Sequence, residues 1–187
     1  MKLSAPSNVI VGLGSNLGDR IAFLSRALDI IRQEAGRIVT LSSVWETEPW
    51  GFEADEPFLN MVMMLETGKE PLRLIQLFRS AEGRLGRPPS GSFTGASDSE
   101  GRHKKRGGMG RYESRIIDID ILLWEDRVIS LPGLEVPHPR MADRRFVLAP
   151  LCEVAPGAVH PVTGLTATEM LDMCDDSSDV RPAMQQL

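Results

Sequence analysis

Cysteine is nearly missing from this chain: two in 187 residues, Cys152 and Cys174, at a separation that matches neither a metal nor a redox spacing. A disulfide framework is excluded, and two free thiols point to a reducing cytoplasm. Aromatic residues are scarce at 5%, so an aromatic in a polar connection stands out. No apolar run approaches the roughly 20 residues that span a bilayer, and the first residues, Met1 to Pro6, carry no apolar secretion-signal core. The phosphate loop GxxxxGK[ST] is absent, as are the protein-kinase motifs. No ordered Ser/His/Asp pattern supports a hydrolase triad. The stretch Gly12-Leu13-Gly14-Ser15-Asn16-Leu17-Gly18 has the spacing GxGxxxG, one residue longer than the dinucleotide fingerprint, and reads as a tight turn.

What is present is an ordinary globular composition, 42% apolar and 25% charged, with a formal charge of −5. The length predicts one domain over 1–187 that can bury a real core. The charge is unevenly spread. From Arg102 to Arg115 the run RHKKRGGMGRYESR carries +5, leaving −10 on the rest. An acidic protein with one concentrated basic segment suggests a local polyanion site, not a nucleic-acid-coating surface.

Asn8 to Leu13 reads as a buried strand. Asp19 can cap a helix in which Ile21, Leu24, Leu28 and Ile31 share a face, ended by Gly36. Ile38 to Trp45 and Leu59 to Glu66 read as two further strands. Pro71 opens a second helix lined by Leu74, Phe78, Ala81 and Leu85. Ile116 to Trp124 is a fourth strand, with a short one around Val128-Ile129. A Pro-rich C-terminal part holds a helix from about Ala167 to Cys174. The order β-α-β-β-α-β with two helices on one face of an antiparallel sheet predicts an α+β, ferredoxin-like layer with a C-terminal extension. Residues 86–115 form a connection of 30 residues with seven glycines. That is well beyond ordinary loop lengths, so it is either functional or disordered, and its core, 88–110, with little to bury, reads as a mobile Gly/Ser-rich basic insertion.

Asp118 and Asp120 carry the sharpest chemistry. Positions i and i+2 of a strand face one side, which puts the two carboxylates roughly 7 Å apart among isoleucines. Such a pair needs compensation by arginine or a divalent metal, and oxygen-only ligands suit Mg²⁺ with substrate phosphates. Arg87, Arg111 and Arg115 supply guanidinium forks for phosphate oxygens. Together these point to a nucleoside triphosphate. Trp50, Phe52 and Phe58 lie in one connection, which suggests stacking on a flat ring, and Asn60 can read a heteroaromatic edge. His138 is a candidate phosphate partner. Two other readings use the same residues: a ferredoxin-like RNA-binding module, and a metal-dependent phosphohydrolase or nucleotidyl transferase. The first would place aromatics on the sheet strands and lack the Asp pair.

The blocks GLGSNLGDR at 12–20, ETEPWG at 46–51, FLN at 58–60, EGRLGR at 82–87, R-x-x-x-R-x-x-D-x-D at 111–120 and VPHPRMADRRFVLAPLCEVAP at 136–156 together resemble the 6-hydroxymethyl-7,8-dihydropterin pyrophosphokinases of folate biosynthesis. The resemblance implies transfer of the β,γ-diphosphate of ATP to the pterin hydroxymethyl group, with release of AMP. It implies that Asp118 and Asp120 hold two Mg²⁺ ions, and that Arg87, Arg115, His138 and Arg144 bind phosphates. Arg111 and Tyr112 would join the nucleotide side, with Tyr112-Glu113-Ser114 standing where the family commonly has Trp-Gly-Pro. Phe58 and Phe146 would sandwich the pterin, while Thr47, Asn60 and the Trp50 backbone would bond its edge. Glu82 falls on an acidic helix position and would orient an arginine. The implied partners are ATP and the hydroxymethyl dihydropterin; no nucleic acid and no membrane are expected, and the protein is expected to be a monomer. The RHKKR run, in an insertion of roughly 18 residues relative to compact members, is expected to close over the triphosphate.

Overall fold

A computed structural model describes residues 5–47, 56–87 and 116–187. The first strand, β1 (Ser7–Ser15), alternates by parity. Val9, Val11 and Leu13 join one apolar cluster, and Ile10 joins another on the opposite face. Gly18, at φ 65°, turns the chain in the left-handed region where glycine is unstrained. Asp19 then accepts the Ala22 N–H at 3.1 Å and caps α1 (Arg20–Glu34). The glycines therefore do not make one tight turn: Gly12 and Gly14 lie inside β1, and only Gly18 bends.

The run expected as one strand over Ile38–Trp45 is two, β2 (Arg37–Leu41) and β3 (Trp45–Thr47). Both pair with β4 (Phe58–Thr67), β2 along its far half and β3 along Phe58–Asn60. Ser42 causes the break. Its N–H donates to the Val62 carbonyl and its hydroxyl accepts the Val62 N–H, both at 2.9 Å. Pro71 opens α2 (Pro71–Arg84), and Leu74, Phe78 and Ala81 are fully buried. The fourth predicted strand is β5 (Asp118–Trp124), two residues shorter than its apolar run. The short strand near 128 is the hairpin β6 (Ile129–Leu131) and β7 (Leu134–Val136), turned at Gly133 with φ 77°.

Among the described residues the main sheet has the order β5-β1-β4-β3, with β2 sharing the edge of β4. The pairs β5-β1, β1-β4 and β4-β2 are antiparallel, which gives the ferredoxin-like arrangement. The two helices expected on one face are there, and the C-terminal extension covers the other. Helices α1 and α2 pack on Val9, Val11, Met63, Leu65 and Ile121. The other face is covered by α3 (Arg145–Val154) and α4 (Ala167–Asp172), through Leu148, Leu151 and Met170 on Ile10, Val62 and Leu123. The sequence reading missed α3 because Pro150 sits inside it, and it extended α4 to Cys174. A last strand, β8 (Val180–Pro182), adds to β3. Among the described residues, no helix is long and apolar enough to cross a membrane.

Candidate active site

Helices α3 and α4 cover only part of the second face. The uncovered part is a cavity of about 300 Å³. Its floor follows from strand parity. Gly14 of β1 pairs with Asn60 on β4 and with Asp118 on β5, and Gly12 pairs with Val62 and Asp120. Two cross-strand rows result, each with a bare glycine at its centre. Neighbouring strands lie close to 4.8 Å apart, so Asn60 and Asp118 stand about 10 Å from each other across a strip without side chains. A Cβ on Gly14 would meet Asn60 Oδ1 at 2.8 Å. The glycines are needed for room, not for a turn.

On the β4 side, Asn60 is buried and its Nδ2 donates to Thr47 Oγ1 at 2.8 Å. This fixes which face of the amide points toward the cavity. Phe58, the first residue of β4, and Phe146, in the first turn of α3, line the same cavity. The Arg144 guanidinium lies 5.5 Å from the Phe146 ring centre, within cation–π range, and is itself buried.

On the β5 side the groups are charged and coupled. Gly86, at φ 103°, reverses the chain after α2, and the Arg87 N–H donates to the Glu82 carbonyl at 3.0 Å. The Arg87 guanidinium thereby turns back to donate to Glu82 at 2.5 Å and to Asp118 at 2.6 Å. The same oxygen of Glu82 accepts the Ile119 N–H, at 2.8 Å, between the two aspartates. Burial pushes the Glu82 carboxyl up to about 7, opposed by Arg87 and reinforced by Asp118 and Asp120. One side chain thus holds both an arginine and the strand that carries the Asp pair.

His138 enters after β7, where its N–H donates to the Leu122 carbonyl at 2.9 Å. Burial lowers the ring to about 4, helped by the nearby Arg144 and Arg140 charges. Its Nδ1 accepts the Arg140 N–H at 3.2 Å, so the neutral ring carries its proton on Nε2.

The structure brings together Thr47, Phe58, Asn60, Arg87, Asp118, Asp120, His138, Arg144 and Phe146 around one cavity. Trp50, Arg111, Tyr112 and Arg115, and the RHKKR run, lie outside the described residues. The sequence reading did not single out Arg79 and Arg140, which also line the cavity. Arg79 had a signal, standing one helical turn before Glu82 on α2. Arg79 donates to the Gly133 carbonyl at 2.7 Å and ties α2 to the β6–β7 turn.

A family model described as 7,8-dihydro-6-hydroxymethylpterin-pyrophosphokinase matches residues 10–156. The chain belongs to that family. It is 43% identical over 154 residues to a 2-amino-4-hydroxy-6-hydroxymethyldihydropteridine pyrophosphokinase of Porphyromonas gingivalis, covering 82% of this chain and 93% of that protein. A protein of the same name from Aquifex aeolicus is 36% identical, covering 83% and 85%. The fold agrees with the crystal structure of Plasmodium falciparum HPPK-DHPS with pteroate, at a TM-score of 0.67 and 16% identity over 92% of this chain. This chain spans 43% of that longer one, and the likeness speaks to fold alone. The family's activity, pyrophosphoryl transfer to hydroxymethyldihydropterin in folate biosynthesis, is the activity of this chain.

Proposed function

We propose that the chain transfers the β,γ-diphosphate of ATP to the hydroxymethyl oxygen of 6-hydroxymethyl-7,8-dihydropterin, with Phe58, Phe146, Asn60 and Thr47 taking the pterin and the β5 side taking the triphosphate. The observation that carries this division is the row Asn60–Gly14–Asp118. It sets a neutral amide and a carboxylate on either side of a bare glycine in one cavity.

In the reaction the hydroxymethyl oxygen bonds to the β-phosphorus, and the bond from that phosphorus to the α,β-bridging oxygen breaks. Its electron pair leaves on AMP, and the hydroxyl proton is released. Asn60 and the two phenylalanines orient the pterin so that its hydroxyl is in line. Arg87, with its guanidinium already fixed by Glu82, and Arg115 neutralise phosphate charge. His138 donates from Nε2 to a phosphate oxygen without adding charge, and Arg144 adds a cation beside it. Positioning and charge neutralisation then supply most of the rate gain.

Asp118 and Asp120 fit Mg²⁺ as a donor set. They are hard oxygen ligands on one strand face, each opposite a glycine, and among the described residues no third acidic, His or Cys group completes a closed cage. They would hold two ions, whose positive charge would offset the charge that develops on the triphosphate. Free Cys152 and Cys174 suit a reducing cytoplasm.

The test is to incubate the protein with Mg-ATP and the hydroxymethyl dihydropterin and identify the nucleotide formed. Pterin-dependent AMP with pterin diphosphate is the expected result. ADP, or no pterin-dependent consumption of ATP, overturns the reading.

A further inference from the structure

We propose that Arg20 is a positioning residue that sets the pterin wall, an inference resting on the reading of Phe58 as that wall. Arg20 is the first residue of α1, held at the end of β1 by the Gly18 turn, where its N–H donates to the Gly18 carbonyl at 2.9 Å. Its guanidinium crosses to the residues just before β4 and donates to the Pro57 carbonyl at 2.7 Å. It also lies 3.5 Å from the Glu56 carboxylate.

The Pro57 bond matters because of where the sheet stops. Strand β1 ends at Ser15, whose partner is Leu59, so on that side the pairing stops one residue short of Phe58. On the other side Phe58 pairs with Thr47, the last residue of β3. Phe58 is therefore the terminal residue of its strand. Pro57 has no N–H to donate, so its carbonyl is its one backbone group for anchoring the chain. The Arg20 guanidinium takes that carbonyl, one peptide before the ring. The Glu56 contact contributes little, since Glu56 is 57% exposed. Arg20 is only 23% exposed, and its bond to Pro57 is charge-assisted.

Arg20 thus joins the glycine-rich segment to the substrate wall. The consequence is selective. The triphosphate side hangs on α2 and β5, which Arg20 does not touch in any described bond, so its loss acts on the pterin alone.

Steady-state kinetics on Arg20→Ala, Arg20→Lys, Glu56→Gln and Phe58→Ala test this. Losing a charge-assisted bond corresponds to about a tenfold change. Arg20→Ala is expected to raise the pterin KM about tenfold while the ATP KM stays within about twofold. Arg20→Lys, which keeps one charged donor, is expected to restore most of the affinity, and Glu56→Gln to change nothing. An unchanged pterin KM in Arg20→Ala, or an equal rise in both KM values, overturns the inference. Where Arg20→Ala does not fold, Arg20→Gln, with a shorter reach and no charge, is judged by the same criteria. Phe58→Ala separates the two levels. If it leaves the pterin KM untouched, the wall itself is misassigned. If it weakens pterin while Arg20→Ala does not, only the role of Arg20 fails.

Discussion

On one side of the glycine strand the cavity floor is a neutral amide and hydroxyl, with Arg144 held apart over the Phe146 ring; on the other it is a set of carboxylates and a guanidinium. Asn60 and Thr47 satisfy one another through a single hydrogen bond, and two phenylalanines add apolar surface. Across Gly14 and Gly12, Glu82, Arg87 and Asp118 form a chain of ion pairs in which Arg87 bridges the two carboxylates. The first wall is organised by shape and the second by charge. Substitutions on the neutral wall should therefore change the affinity for one substrate. Those on the charged wall should change the chemical step, because the proposed placement puts the triphosphate, and the charge that develops on it, there.

The largest effect is expected at Asp120. Asp120→Ala removes one of the two carboxylates facing the cavity but leaves the Glu82–Arg87–Asp118 contacts intact. Turnover should fall about a thousandfold, the scale of losing a main electrostatic group. The fold should survive, because the core and the Glu82 contacts to Arg87 and Ile119 are untouched. Initial rates of AMP release with a thermal melt check this, and a loss under tenfold would remove Asp120 from the charged wall.

Glu82 comes next, because it couples stability to geometry. Glu82→Ala leaves the Ile119 N–H without its carboxylate, at a cost of about 1–3 kcal/mol in urea unfolding. It also frees Arg87 from one of its two anchors. Turnover should drop about tenfold with little change in the pterin KM. Glu82→Gln retains an acceptor for Ile119 and should recover stability more than rate. Equal recovery of both would mean that Glu82 acts only through the backbone.

The Asp-x-Asp pair was readable from sequence because parity in an apolar strand needs no tertiary information. The same holds for α2, where Leu74, Phe78 and Ala81 repeat at helical spacing. Other parts depend on the assembled fold. Gly12 and Gly14 carry a turn signal locally, and only pairing with Asn60 and Asp118 reveals them as strand residues that make room. The break at Ser42 exists because its hydroxyl finds Val62 across the sheet. Helix α3 was hidden by Pro150 inside it, while the packing of Val147, Leu148 and Leu151 on the second face is visible only in the fold. The charged wall was thus largely legible and the neutral wall half so. Asn60 was visible, but its glycine neighbour was not.

Gly14→Ala tests that hidden element. The new Cβ would lie 2.8 Å from Asn60 Oδ1, so the amide must turn away from its bond to Thr47. Gly14 has no positive φ, so backbone strain does not enter. The pterin KM should rise about tenfold, the worth of one good hydrogen bond in a closed site. The ATP KM should move less. A larger change for ATP than for pterin would place Gly14 with the charged wall and erase the division.

The smallest effect is a pH dependence of stability rooted in His138, whose ring faces Arg144, Arg140 and Asp118. Its folded value of about 4 lies below the ordinary 6.5, because burial first and the two arginines next disfavour the charged ring. Between those limits the unfolded chain binds the proton and the folded chain does not. Stability from this residue is therefore lost as pH falls from about 6.5 toward about 4, and is unaffected above that window. The His138→Gln variant lacks this titration, while His160, also lowered by burial, titrates in both proteins and cancels. Urea unfolding at about pH 7 and about pH 4.5 should show the wild type losing on the order of 2 kcal/mol more than the variant. Equal losses would mean that the ring takes up its proton in the folded state. It would then offer the triphosphate a cation, and the charged wall would extend past β5 to the entry of α3.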